Sequence, residues 1–246
     1  MTRLLIKILA AVVAAAVGVG LALQGAEVWA PSDAVVVSLI ISAAVLAAGS
    51  TAGSAIAEFR ARQIGARREF ADRVLTGTLW AVVDATGLDF RALGLAAYRV
   101  RRLWWRPWRS ELARVYRVRS QYRLAASGIT WTPGKGVVGV CVAQQQVVAK
   151  DLRMIDAAIW PCTETEWDTV APPDVRLGLT YTEYLEVRGK YDVVVAAPIL
   201  DVSGSATRAV GCVALDGPAG SLDKLDADEI HSLLDSAAQN LLVPGR

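Results

Sequence analysis

Hydrophobic and polar positions follow three different patterns along the chain. The first is a pair of long apolar runs. Leu4 to Leu23 carries one charge, Lys7, and Ala34 to Ala57 carries none. Each has about the 20 residues needed to cross a hydrocarbon core of about 30 Å. Only QGAEVWAPSD and its neighbours separate them, so the pattern predicts a two-span transmembrane hairpin over residues 1–57. The rival reading is a signal peptide followed by one span, with Met-Thr-Arg-Leu-Leu-Ile-Lys as its charged start. The second pattern is helical. Phe70, Val74, Leu75, Leu79, Val82 and Val83 recur at helical spacing and predict a connecting amphipathic helix over 58–86, stopped by Gly87. The third is alternation. Leu112, Tyr116, Val118, Tyr122 and Leu124 stand against Arg117, Arg119, Gln121 and Arg123, which predicts strands. The turn that joins them reads Trp104-Trp105-Arg106-Pro107-Trp108-Arg109.

Composition sharpens this picture. Apolar residues make up 54% and charged residues 20% of the 246 positions, against about 45–50% and about 25% in ordinary soluble chains. Disorder is excluded. The net charge of +2 hides an asymmetry, because residues 1–123 hold 17 Lys/Arg and 8 Asp/Glu. Arg3 and Lys7 precede the first run, Arg60, Arg62, Arg67, Arg68 and Arg73 follow the second, and the connecting loop has neither Lys nor Arg. The positive-inside rule then places both termini in the cytoplasm, and the Ala, Val and Arg bias suggests a GC-rich bacterial genome, hence a bacterial plasma membrane. Gly49, Gly53 and Ala57 form a row of small residues that would let helices pack closely in the bilayer.

Residues 99–123 contain nine arginines and one acid, Glu111. With Trp104, Trp105, Arg106, Trp108 and Arg109 at its centre, this stretch has three readings: contact with anionic membrane lipids, nucleic-acid binding, or a solvated arginine face. Proximity to the expected hairpin favours lipids over nucleic acid.

Three motifs further on resemble the GAF family in order, over about residues 70 to 243. The first is Trp131-Thr-Pro-Gly134-Lys135-Gly136-Val137-Val138-Gly139-Val140-Cys141, leading to a strand that ends at Asp151. The second is Tyr191-Asp-Val-Val-Val-Ala-Ala-Pro198-Ile-Leu-Asp201, a Ser203-Gly204 turn, and Arg208-Ala-Val-Gly211-Cys-Val-Ala-Leu-Asp216. The third is a closing helix with Ile230, Leu233, Leu234, Ala237, Ala238 and Leu241 on one stripe, preceded by Asp226 and Glu229 at capping-box spacing. The resemblance implies an α/β (α+β) domain over 87–246: a central antiparallel sheet, flanking helices, and a ligand pocket or degenerate pocket.

Chemistry is sparse. The one histidine, His231, sits beside an apolar helical stripe and reads as a boundary residue. Cys141, Cys162 and Cys212 lack metal-ligand spacing, so neither a metal nor another cofactor is expected. Lys135, beside the Gly134–Gly136 turn, reads either as a holder of an anionic ligand or as a solvated loop lysine. Trp131, Trp160 and Trp167 read as lining an apolar cavity or as loop anchors. The reading adopted is a membrane-anchored cytoplasmic sensor or scaffold that binds a small ligand or partner protein and self-associates, as a homodimer. Two alternatives stay open. One is a ligand-gated effector whose oligomerised hairpins permeabilise the bilayer. The other is a thiol reductase, because the resemblance extends to GAF-family proteins that reduce free methionine sulfoxide with cysteines. Val138 departs from that subfamily, which carries cysteine there.

Overall fold

The computed structural model describes residues 14–20, 22–23, 25–26, 32–103, 106–119 and 127–242. The chain divides into two compact units, Met1–Ala66 and Arg67–Arg246.

The first unit corrects the membrane reading. Among the described residues no helix is long and apolar enough to cross a membrane. The two-span hairpin over 1–57 is therefore not supported, and with it fall the plasma-membrane localisation and the bilayer-permeabilising alternative. The first apolar run lies largely outside the described residues. The second is not an element with its own ends. It opens helix α1, Asp33–Thr86, which carries on into charged sequence for 54 residues in all. Arg62–Glu58 at 2.6 Å and Arg73–Glu69 at 3.2 Å are exposed ion pairs one turn apart on it. Gly49, Gly53 and Ala57 all fall within α1.

The second unit is built on a five-stranded antiparallel sheet. Its strands are β1 (Gly94–Leu103), β2 (Arg106–Arg119), β3 (Val148–Asp151), β4 (Val193–Asp201) and β5 (Arg208–Gly217), in the order β2-β1-β5-β4-β3. The helices are α2 (Gly136–Gln144), α3 (Leu152–Ile159), α4 (Trp167–Val170), α5 (Pro173–Arg176), α6 (Tyr181–Val187), α7 (Leu222–Leu225) and α8 (Asp228–Leu242). This is an α+β arrangement with a central antiparallel sheet and flanking helices.

One sheet face packs on the end of α1 and on α8. Ala71, Leu75, Leu79 and Val82 are buried at successive helical turns of α1, as a stripe facing one direction requires. Leu75, Leu79 and Val82 join Ile230, Leu234 and Ala238 of α8 over Leu95, Ala97, Val195, Val213 and Leu215 of the sheet. Phe70, at the edge of the expected stripe, remains 47% exposed. Gly87 stops α1 with φ +67° while its N–H donates to the Val83 carbonyl, a helix end that glycine accepts without steric penalty. Asp226 ends α7, its carboxylate meets His231 Nε2 at 2.9 Å, and α8 opens two residues later at Asp228. A capping box instead forms where none was expected, between Thr180 and Glu183 at the start of α6.

The opposite face carries α2 and the stretch α3–α6. Here the alternation in β2 slips. Ala97 pairs with Tyr116, but Tyr98 pairs with Arg114, which leaves Val115 as an extra, bulged residue. A bulge of one residue reverses which face the following side chains take. Leu112 thus packs on the α2 face and Tyr116 and Val118 on the α1–α8 face, although simple alternation had put all three together. The same slip brings Arg114, Arg117 and Arg119 onto one face.

Candidate ligand-binding site

A cavity of about 250 Å³ lies between the sheet and the α2 to α6 layer. Its floor is small. Ala96 of β1 pairs with Ala214 of β5, which pairs with Ala196 of β4, so three neighbouring strands place alanine at one level. Longer side chains there would fill the space that Ala96 and Ala214 leave to the cavity. Val137 and Val138 of α2, Ile129, Trp131, Leu177 and Leu179 supply apolar wall. Leu152, Ile155 and Asp156 of α3, Tyr184 and Val187 of α6, and Arg188 to Tyr191 complete the lining.

The glycine motif builds the wall rather than touching a ligand with side chains. Gly136 takes φ +65°, and a Cβ there would stand 2.5 Å from the Trp131 ring. A Cβ on Gly139 would collide with the Thr132 carbonyl, and one on Gly178 with the Gly134 carbonyl. Close approach of backbone is what these positions need. Among the expected ligand residues, Trp131 and Gly136 line the cavity. Gly134 lies in the supporting turn, donating to the Gly139 carbonyl at 2.7 Å. Lys135 is tied to Glu183, Nζ to Oε1 at 2.7 Å. Burial works to raise the Glu183 carboxyl, but bonds from Lys135 and Thr180 outweigh it and hold the group below its ordinary range. Trp160 is half-exposed with the Arg188 guanidinium 3.4 Å above its ring. Trp167 is buried, stacks on Tyr184 at 4.7 Å, and donates from Nε1 to the Leu179 carbonyl at 3.1 Å. Trp104 and Trp105 lie outside the described residues. Arg106 opens β2, and Trp108 and Arg109 follow it with Trp108 76% exposed.

The polar groups of the cavity were not singled out by sequence. Tyr98, Arg114, Arg117 and Asp216 line it from the sheet. Burial, then the nearby Tyr191, pushes the Tyr98 phenol up to about 12, so it stays neutral and able to donate at physiological pH. Burial raises the Asp216 carboxyl, opposed by Arg119, Arg117 and Arg114. Arg119 Nη2 meets Asp216 Oδ2 at 3.2 Å. Burial and the Asp156 carboxylate together push the Tyr184 phenol up.

None of the three cysteines lines the cavity. Cys141 and Cys212 are fully buried in the core beneath α2. A hydrogen bond with Cys141, then burial, raises the Cys212 thiol, which suppresses the thiolate that nucleophilic chemistry needs. Cys162 is also buried, within the cluster of Trp167 and Tyr184 behind the cavity wall. Among the described residues no His/Cys/Asp/Glu group could hold a metal ion.

No family model and no curated protein matches the chain. Solved structures do. A type II free methionine-R-sulfoxide reductase from Thermoplasma acidophilum is 10% identical, with 70% of this chain and 92% of that chain covered and a TM-score of 0.39. The fRMsr of Staphylococcus aureus, solved in complex with substrate, is 11% identical over 70% of this chain and 95% of its own, with a TM-score of 0.36. A hypothetical protein from S. aureus is 11% identical, covers 57% and 91%, and has a TM-score of 0.33. Likeness at this level transfers neither activity nor substrate to this chain.

Proposed function

We propose that residues 67–246 act as a GAF-like small-molecule-binding domain, with the cavity over the alanine floor as its binding site. The observation that carries this reading is the contrast between the two sheet faces. The α1–α8 face is closed by large side chains, Leu75, Leu79, Leu215 and Leu234 among them, with no measurable exposure. The other face keeps about 250 Å³ open, mostly apolar, with a few convergent polar groups, the usual make-up of a ligand site. Native mass spectrometry of the full chain as purified, beside the same sample denatured, tests it. A non-covalent mass lost on denaturation is expected. A bare subunit that also binds nothing from a panel of small carboxylates, phosphates and heterocycles contradicts the reading.

The thiol-reductase reading stands second, on one observation. Cys162 packs with Tyr184, which itself lines the cavity, so a side-chain movement would bring its sulfur to the wall. Reduction of a sulfoxide there would oxidise Cys162 to the sulfenic acid and release the sulfide. A second thiol would then expel water and form a disulfide, which an added dithiol would reduce. Turnover of free methionine sulfoxide with dithiothreitol that disappears in Cys162→Ser supports this reading. Absence of turnover in the wild type removes it.

A further inference from the structure

The bulge in β2 has gathered more cationic hydrogen-bonding capacity beside the cavity than the described residues use. Arg117 lines the cavity, and its Nη2 is buried without a hydrogen-bond partner among the described residues. Arg119 Nη2 pairs with Asp216, yet its Nε and Nη1 are likewise buried without hydrogen-bond partners among the described residues. Arg114 also lines the cavity and stands close to both Tyr98 and Asp216. Three guanidinium groups thus surround one carboxylate. A buried guanidinium nitrogen left unbonded is costly, and the strong partner for its planar fork is an oxyanion.

The geometry points to an anion subsite at this end of the cavity: the ligand is an apolar body carrying a carboxylate or phosphate, and Arg117 receives the anionic oxygens with Arg119 beside it. This rests on the cavity being a binding site, and it assigns the chemical class of the occupant. The apolar body is set by Ile129, Trp131, Val137, Val138 and Leu179, which supply much of the remaining wall beside Asp156, Arg188 and Lys190. Asp216 does not compete for the role of counter-ion, because it is one carboxylate against three arginines and is already engaged by Arg119.

Thermal denaturation of the full chain at constant ionic strength tests the assignment, with three matched probes: 3-phenylpropionate, 2-phenylethyl phosphate and the neutral 3-phenylpropionamide. Constant ionic strength removes general screening as a cause of any shift. At least one anion is expected to bind the wild type tenfold or more tightly than the amide, and which of the two binds tighter distinguishes carboxylate from phosphate. Arg117→Met is expected to melt at or above the wild-type temperature without ligand, since it removes a buried Nη2 that has no partner among the described residues and one of three cations around a single carboxylate, and to lose the anion's advantage over the amide. If the amide matches both anions on the wild type, or if Arg117→Met binds the anions unchanged, the anion subsite is wrong while cavity binding stands. If Arg117→Met melts well below the wild type with no probe bound by either protein, Arg117 is a structural residue, and both readings fall.

Discussion

Gly94 shows how a single missing side chain organises the site. It pairs with Arg119 on one neighbouring strand and Asp216 on the other. With no Cβ between them, the two side chains cross over β1 and meet at 3.2 Å. A Cβ at Gly94 would stand 2.6 Å from an Asp216 oxygen. Gly94→Ala should therefore cost about 1–3 kcal/mol, the usual penalty for overpacking, whereas Gly77→Ala should stabilise by up to about 1 kcal/mol. Gly77 lies inside α1 with nothing within 4 Å of a built Cβ. Urea denaturation of the two variants measures both, and equal effects would contradict the packing argument. Asp201 makes a separate prediction at this scale. Bonds from Ser203, then from Arg208, lower its carboxyl to about 2 from the ordinary 3.8. A group whose folded value is depressed adds stability above its unfolded value and loses it as pH falls through the folded value. Asp201→Asn should flatten the acid-side loss of stability between about pH 4 and pH 2. Unchanged acid dependence would show that the β4–β5 turn does not draw stability from this carboxylate.

Elements with a strong period were legible, and those without one were not. The stripe at Leu75, Leu79 and Val82 and the closing helix α8 emerge from spacing, because each buries one consistent face, and the hairpin β4–β5 emerges as two apolar runs around a Ser/Gly turn, because its strands are buried on both faces. The β2 bulge was hidden because Arg114-Val115-Tyr116-Arg117 contains no glycine or proline to mark it. Strict alternation consequently put Leu112 on the wrong face and missed that Arg114 and Arg117 meet at the cavity. The layer from α3 to α6 was unreadable for another reason. Its helices run 4 to 8 residues, too short for a helical period to declare itself. The apolar run 34–57 misled through its composition: its length suits a span, but it is the opening of a longer helix whose second half is charged. If the stripe reading is right, Leu79→Ala should lose about 2–5 kcal/mol, as deletions from closed cores do. Phe70→Ala, half-exposed on the same helix, should lose well under half of that. Chemical denaturation of the pair decides, and a Phe70 effect equal to that of Leu79 would move the stripe.

In the molecule as a whole, one face of the sheet is filled and the other is left open. Sequence revealed the sheet and its order of motifs, and it placed Trp131 and Gly136 near the open side. It could not reveal the opening itself, because a cavity is made by what separate strands bring to one level, and Ala96 and Ala214 lie far apart in the chain. The most direct measurement is therefore native mass spectrometry of the full chain beside Ala214→Leu, with the melting temperature of each recorded. Leucine at this position would extend into the cavity, so the variant should melt at or above the wild-type temperature and lose the non-covalent mass. A variant that keeps the bound mass, or one that unfolds as Leu79→Ala would, contradicts the claim that this cavity is the binding site.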